Sequence, residues 1–333
     1  MNLENIKIAL EGQPKFRFAQ VYKAIYQDLI SDWNENTTLP LSLREKLNEL
    51  CPLQIEAEVF GSDKSETQKA LLTLDDGIKI ETVLMRHEDG RCTVCVSSQV
   101  GCPLGCAFCA TGKLGFKRNL TTDEIVLQVL FFARLLKKEN TRVSNVVFMG
   151  MGEPFLNYDN VMSAVKILND KATFNIGARH ISISTSGVIE GINKFMKEDM
   201  QINLAISLHA PNDKLRGQLM PIDRKYPLSK LMEASEKYVK LKSRQVMFEY
   251  LLIDGVNDQD EQARELAALM KNPLYTVNLI RYNPTGSFQP SSATTIKRFK
   301  NLLLREGIKV TQRYSFGQDI SAACGQLAAK HKK

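Results

Sequence analysis

The chain has 333 residues, 44% hydrophobic and 24% charged, with a formal net charge of +7. These values describe a globular chain able to bury one large domain with a smaller accessory unit. No apolar run approaches the ~18 residues of a membrane span, and the acidic start Met1-Asn2-Leu3-Glu4-Asn5 lacks the apolar stretch of a secretory signal, so a cytoplasmic protein with no membrane partner is expected.

Residues 1 to about 50 read as helical. Phe16, Phe18, Val21, Ile25, Leu29 and Ile30 recur at three- and four-residue steps, as do Leu41, Leu43, Leu47 and Leu50 after Pro40. Residues 53 to 91 change character. Ala57–Phe60, Lys69–Leu74 and Ile78–Met85 read as short strands, with Asp75-Asp76-Gly77 as a hairpin turn, and so predict a small antiparallel sheet. From about 92 strand and helix alternate. Strands are expected at Thr93–Ser97, Asn145–Met149, His180–Ser184, Asn203–Ser207, Gln245–Leu252, Thr276–Ile280 and Lys309–Arg313. Helices are expected between them, the first opened by the capping-box pattern Thr121-Thr122-Asp123-Glu124. Six or so such units predict an α/β fold with a parallel sheet, either doubly wound or a full or partial barrel.

The cysteines concentrate the chemistry. Five of the seven fall between 92 and 109: Cys92, Cys95, Cys102, Cys106 and Cys109. Cys51 and Cys324 lie apart. This clustering is unlike a disulfide scaffold. Cys102, Cys106 and Cys109 form C-x3-C-x2-C in one tight loop, a spacing that lets thiolates converge on one metal centre. Structural zinc takes four ligands and an ordinary iron–sulfur cluster four thiolates. No fourth cysteine follows nearby, and no histidine lies between His87 and His180. A three-thiolate cubane would leave one iron free to bind a small molecule; a zinc knuckle or buried free thiols is the plainer alternative. The other strand exits are also polar: Gly150-Met151-Gly152-Glu153-Pro154, Ser184-Thr185-Ser186-Gly187, Ser207-Leu208-His209-Ala210-Pro211-Asn212 and Arg281-Tyr282-Asn283-Pro284. Ligands of parallel α/β folds collect at such ends, although Ser184 and Asn283 would serve equally as helix caps.

The cysteine loop, Val94–Cys102, Gly150–Asn157, Ser184–Gly187, Leu204–Asn212 and Asp319–Leu327 together resemble the RlmN/Cfr family of radical S-adenosylmethionine RNA methyltransferases, from the helical module to Leu327. The resemblance implies a partial (βα)6 barrel: an N-terminal helical accessory domain (1–52), a small β extension (53–91), the core barrel (92–307) and a C-terminal extension (308–333). It implies a [4Fe–4S] cluster on Cys102, Cys106 and Cys109, and S-adenosylmethionine bound by Gly152, Glu153, Ser184, Ser207, Leu208, His209 and Asn283. Two cofactor molecules per turnover are implied, one as methyl donor and one as radical source. Cys324 would become S-methylated, Cys95 would resolve a protein–RNA adduct by forming a disulfide with Cys324, and Glu81 would be the base at the substrate carbon. The implied reaction is methylation of C2 of adenosine 2503 in 23S rRNA and of adenosine 37 in tRNAs. An electron donor for the cluster and a disulfide reductant are implied partners.

The logic of two cysteines outside the cluster is chemical. The C2–H of adenine is not nucleophilic, so a methyl parked on a thiolate and activated by hydrogen abstraction can add to the ring. Release then needs a base and a second thiol. The stretch between Glu81 and Cys95 is slightly long for the family. The turn Arg313–Asp319, with Phe316-Gly317, is nearer to Cfr, which methylates C8 of the same adenine, whereas Glu153-Pro154 and Leu204–Ser207 favour C2. Lys113, Lys117, Arg118, Arg216 and Arg224 are candidate phosphate contacts. A reading from another class is a non-catalytic iron–sulfur or zinc-stabilised RNA-binding protein.

Overall fold

The computed structural model describes residues 3–62, 65–313 and 317–328. Three helices, α1 (Leu3–Ala9), α2 (Phe16–Tyr26) and α3 (Leu41–Leu50), pack around Trp33, which is fully buried and donates Nε1–H to the Cys51 carbonyl at 2.8 Å. Phe16 and Leu41 share the apolar periodicity but are exposed. Each opens its helix, where the first turn projects beyond the face that packs.

Four strands follow: β1 (Ala57–Phe60), β2 (Thr67–Thr73), β3 (Lys79–Arg86) and β4 (Cys92–Cys95), each antiparallel to the next. A short hairpin of β5 (Gln99–Gly101) and β6 (Phe116–Asn119) then encloses the cysteine loop. It left no signature in the sequence, because β6 reads Phe-Lys-Arg-Asn and does not alternate.

The alternating stretch is as expected. It comprises α4 (Thr122–Lys138), β7 (Asn145–Phe148), α5 (Tyr158–Asn169), β8 (Ile181–Thr185), α6 (Ile189–Phe195), β9 (Asn203–Ser207), α7 (Asp213–Leu219), α8 (Leu228–Lys242), β10 (Val246–Leu252), α9 (Asp260–Leu269), β11 (Tyr275–Arg281), α10 (Ala293–Arg305) and β12 (Val310–Arg313). The capping box at Thr121 and Glu124 is present. Arg134 of α4 donates to the carbonyls of Ile30 and Leu53, at 2.6 Å for the latter, and fastens the helical module to the core.

One sheet runs β1-β2-β3-β4-β7-β8-β9-β10-β11-β12, and its parallel part extends from β4 to β12. Its edges β1 and β12 are not bonded to each other, so the barrel is partial. β3 pairs directly with β4, and β12 pairs with β11, so the strands at 79–86 and 310–313 continue the same sheet as the core. Among the described residues no helix is long and apolar enough to cross a membrane.

Candidate active site

The cysteine loop is shaped by backbone. Gly101 has φ +77°, and a Cβ there would lie 1.8 Å from the Gly115 carbonyl oxygen. That close approach lets Cys102 N–H donate to Gly115 O at 2.9 Å. Cys109 N–H turns back to Cys106 O, and Ala107 N–H reaches Leu219 O. Gly152, at φ +99°, stands against Gln99, where a Cβ would come within 2.5 Å of the Gln99 Cβ. Gln99 in turn accepts from Glu153 N–H at 2.9 Å and donates to Asn119, and so braces the hairpin against the β7 exit.

Cys102, Cys106, Cys109, Gly152, Glu153, Ser184, Ser207, His209 and Cys324 line one cavity. Burial pushes the Cys102 thiol up to about 12 and the Cys106 thiol up as well, reinforced by neighbouring thiols and Glu153. Such thiols want a cation, since coordination to a metal deprotonates them outright. Among the described residues no trio of histidine, cysteine, aspartate or glutamate converges tightly enough for a single metal ion. A cluster asks for something different, one iron per thiolate around a shared space, and three thiols on one cavity wall fit that demand.

Glu153 is buried, and burial pushes its carboxyl up. Its Oε1 accepts from Phe155 N–H at 3.1 Å and its Oε2 from Ser186 N–H at 2.7 Å. His209, at φ +57°, accepts from Leu251 N–H through Nδ1 at 3.0 Å, which assigns the proton to Nε2. Burial pushes its pKa down to about 3, so it is a neutral donor rather than a base at ordinary pH. Ser184 caps no helix and lines the cavity.

A smaller cavity adjoins the first. It is lined by Cys95 and Asn283, and it shares Met149, Ile280, Arg313, Cys324 and Leu327 with the larger one. Cys324 therefore stands in the wall between the thiol trio and Cys95. It is exposed by area while lining both cavities. Burial pushes Cys95 up to about 12 and Cys324 up too; the Arg313 guanidinium opposes both shifts. Cys92 lies three residues before Cys95 on the same strand, hence on the opposite face of the sheet, and lines neither cavity.

Three expected residues stand elsewhere. Leu208 is fully buried in the core, with its N–H given to Glu249 O. Asn283 lines only the smaller cavity. It donates to Cys324 O at 3.1 Å and accepts from Gln318, and so ties down the segment 317–328, the C-terminal strap, rather than lining the larger cavity. Glu81 lines neither cavity; its Oε1 pairs with Lys69 Nζ at 2.8 Å and its Oε2 accepts from Ala328 N–H at 2.6 Å. Of the basic candidates, Arg118 is bound to Asp76 and Glu124, and Arg216 is fully buried against Asp223 and Ser186 O. Lys117 and Arg224 are exposed, while Lys113 bonds Thr285 O and Ser287. Residues 314–316 of the Arg313–Asp319 turn lie outside the described residues.

Met149, Glu249 and Arg313 line the cavity and were not legible beforehand. Glu249 and Arg313 sit inside strand-like runs, where register alone decides which face a charge takes.

The radical SAM superfamily model matches residues 96–267. A probable dual-specificity RNA methyltransferase RlmN of Dictyoglomus thermophilum is 46% identical over 97% of this chain and 93% of its own length. The like-named protein of Bacillus cytotoxicus is 48% identical over 97% and 90%. A crystal structure of a radical SAM methyltransferase from Sphaerobacter thermophilus superposes with a TM-score of 0.94 at 46% identity, over 98% of this chain and 96% of that one.

Proposed function

Because the chain belongs to the RlmN family of radical SAM RNA methyltransferases, we propose that it methylates C2 of adenosine 2503 in 23S rRNA and of adenosine 37 in tRNAs, with Cys324 as the methyl carrier. The observation that carries this reading is the position of Cys324 in the wall shared by two cavities, with the cysteine trio on one side and Cys95 on the other.

Cys102, Cys106 and Cys109 would hold a [4Fe–4S] cluster. When bound, the cluster and S-adenosylmethionine would supply the one-electron chemistry and the methyl group, two cofactor molecules being used per methyl transferred. Gly152 lets the β7 exit close against Gln99, and Glu153 stiffens that exit by accepting two backbone N–H groups. The neutral His209 presents Nε2–H to the cavity. Phe148, Met149 and Leu327 give the cavity that Cys324 lines its apolar walls. Arg313 favours the thiolate that Cys324 needs to accept a methyl, and afterwards the thiolate of Cys95 that attacks Cys324 when the methylated RNA leaves. Glu81 acts as the ring base only once Ala328 N–H has left it, so the C-terminal strap would lift before proton removal. An electron donor and a disulfide reductant complete the cycle.

The test is nucleoside mass spectrometry of 23S rRNA and tRNA from cells that lack their own enzyme and express this chain. The expected product is 2-methyladenosine at both RNAs, lost on Cys324→Ala. Formation of 8-methyladenosine would overturn the C2 assignment, and unmodified RNA beside an intact cluster would overturn the reading as an enzyme.

A further inference from the structure

Two charged side chains line the larger cavity with hydrogen-bonding capacity to spare, the buried Glu249 and the half-buried Arg313. Strands β9 to β12 set Ser207, Glu249, Asn278 and Thr311 in one register row. Thr311 Oγ1 donates to Asn278 Oδ1 at 2.8 Å, and Asn278 Nδ2 donates to Glu249 Oε2 at 2.8 Å. The relay fixes the carboxylate and stops there. Oε1 of Glu249, in a residue 3% exposed, has no hydrogen-bond partner among the described residues. Two positions beyond Thr311, and so on the same face of β12, Arg313 lines both cavities and gives Nη1–H to Met149 Sδ at 3.1 Å. Among the described residues no carboxylate lies within 4 Å of its guanidinium. Glu249 and Arg313 thus share the cavity wall without touching. A buried acceptor left in this state destabilises the fold, and a ligand carrying both a donor and an acceptor would satisfy it together with the half-buried Arg313 cation. Glu153 differs, in that each of its oxygens already accepts a backbone N–H.

We propose that Glu249 and Arg313 read an adenine ring in this cavity, with Glu249 Oε1 accepting an exocyclic amino N–H and the Arg313 guanidinium donating to the adjacent ring nitrogen. Adenine offers that pairing on its Hoogsteen edge through N6 and N7, and again through N6 and N1. Guanine and hypoxanthine present an oxygen in place of the amine, which sets lone pairs against the carboxylate. The inference rests on the reading of the chain as an adenosine methyltransferase. The target adenosine and the adenosyl group of the cofactor carry the same chemistry, and the experiment separates them.

Cluster-loaded wild-type protein would be titrated with two ligand pairs. One is an RNA hairpin with adenosine, or with purine riboside (which lacks the amine), at the target position. The other is S-adenosylhomocysteine against S-inosylhomocysteine. One pair should differ by about tenfold or more, the discrimination a site built around a hydrogen bond imposes on an analogue lacking it. Glu249→Gln can still accept from Asn278 but turns the free acceptor into a donor, so it should erase the difference within that same pair. A residue that merely held the sheet together would weaken all four ligands alike. Loss in the RNA pair assigns the site to the target base, and loss in the homocysteine pair assigns it to the cofactor. Equal affinities within both pairs would overturn the inference, and that arm needs no variant to fold. RNA methylation scored on the same preparation reports on the underlying reading, so flat binding by an active enzyme counts against the inference alone.

Discussion

The loop holding Cys102, Cys106 and Cys109 and the strap holding Cys324 present four sulfurs to one cavity by opposite means. The loop is closed by backbone, through Cys102 N–H to Gly115 O and Cys109 N–H to Cys106 O across the β5–β6 hairpin. The strap has no helix or strand among its described residues, 317–328. Apart from Ala110 N–H to Gly325 O, it is tied mainly through side chains, most from distant elements and one its own. Asn283 reaches Cys324 O, Thr111 reaches Leu327 O, Glu81 takes Ala328 N–H and Gln326 reaches Pro284 O. Each neutral tie contributes about 1 kcal/mol and can open alone. Sulfurs that must stay fixed are therefore set in backbone, and the sulfur that serves two cavities hangs on separable latches.

Cys106→Ala should remove a cluster ligand, so that bound iron and RNA methylation both disappear; retained iron would break the contrast at its fixed end. Cys324→Ala should abolish methylation while iron content stays at the wild-type level, which separates the two sulfur sets in one assay. Glu81→Gln leaves Lys69 buried without its counter-charge, and urea unfolding should show a loss of about 3 kcal/mol or more; an unchanged midpoint would mean the pair does not anchor the strap. Thr111→Val should cost about 1 kcal/mol and accelerate amide hydrogen exchange in residues 323–328, with the loop 102–109 unaffected.

A further expected effect concerns acid. Burial holds His209 near 3 in the fold against about 6.5 unfolded. The unfolded chain alone takes up that proton as pH falls from 6.5 toward 3, so His209 contributes stability above the unfolded value that is lost through this window. His209→Asn keeps a side chain tolerant of positive φ and should flatten that limb of the stability profile. An unaltered acid limb would place the titration elsewhere.

The sequence carried the helical module, the order of βα units, the Cys102/Cys106/Cys109 loop and the polar strand exits, because those signals are local: spacing, periodicity and capping. It was silent where distance along the chain decides. Glu81 looked available because nothing near it in sequence announces Lys69 or Ala328. Arg118 looked like a phosphate contact until folding brought Asp76, 42 residues away, to it. Asn283 matched a cofactor contact by motif, yet its amide holds Cys324 O. Arg313 and Glu249 gave no sign at all, since a charge in a strand reads as solvent-facing until neighbouring strands enclose it.

Peptide mass spectrometry of the purified, cluster-loaded enzyme tests the shared position of Cys324 most directly. One methyl group should be found on Cys324 and on no other cysteine, and it should pass to the RNA in a single turnover when RNA is added. Methylated RNA produced while Cys324 stays unmodified throughout would contradict the account.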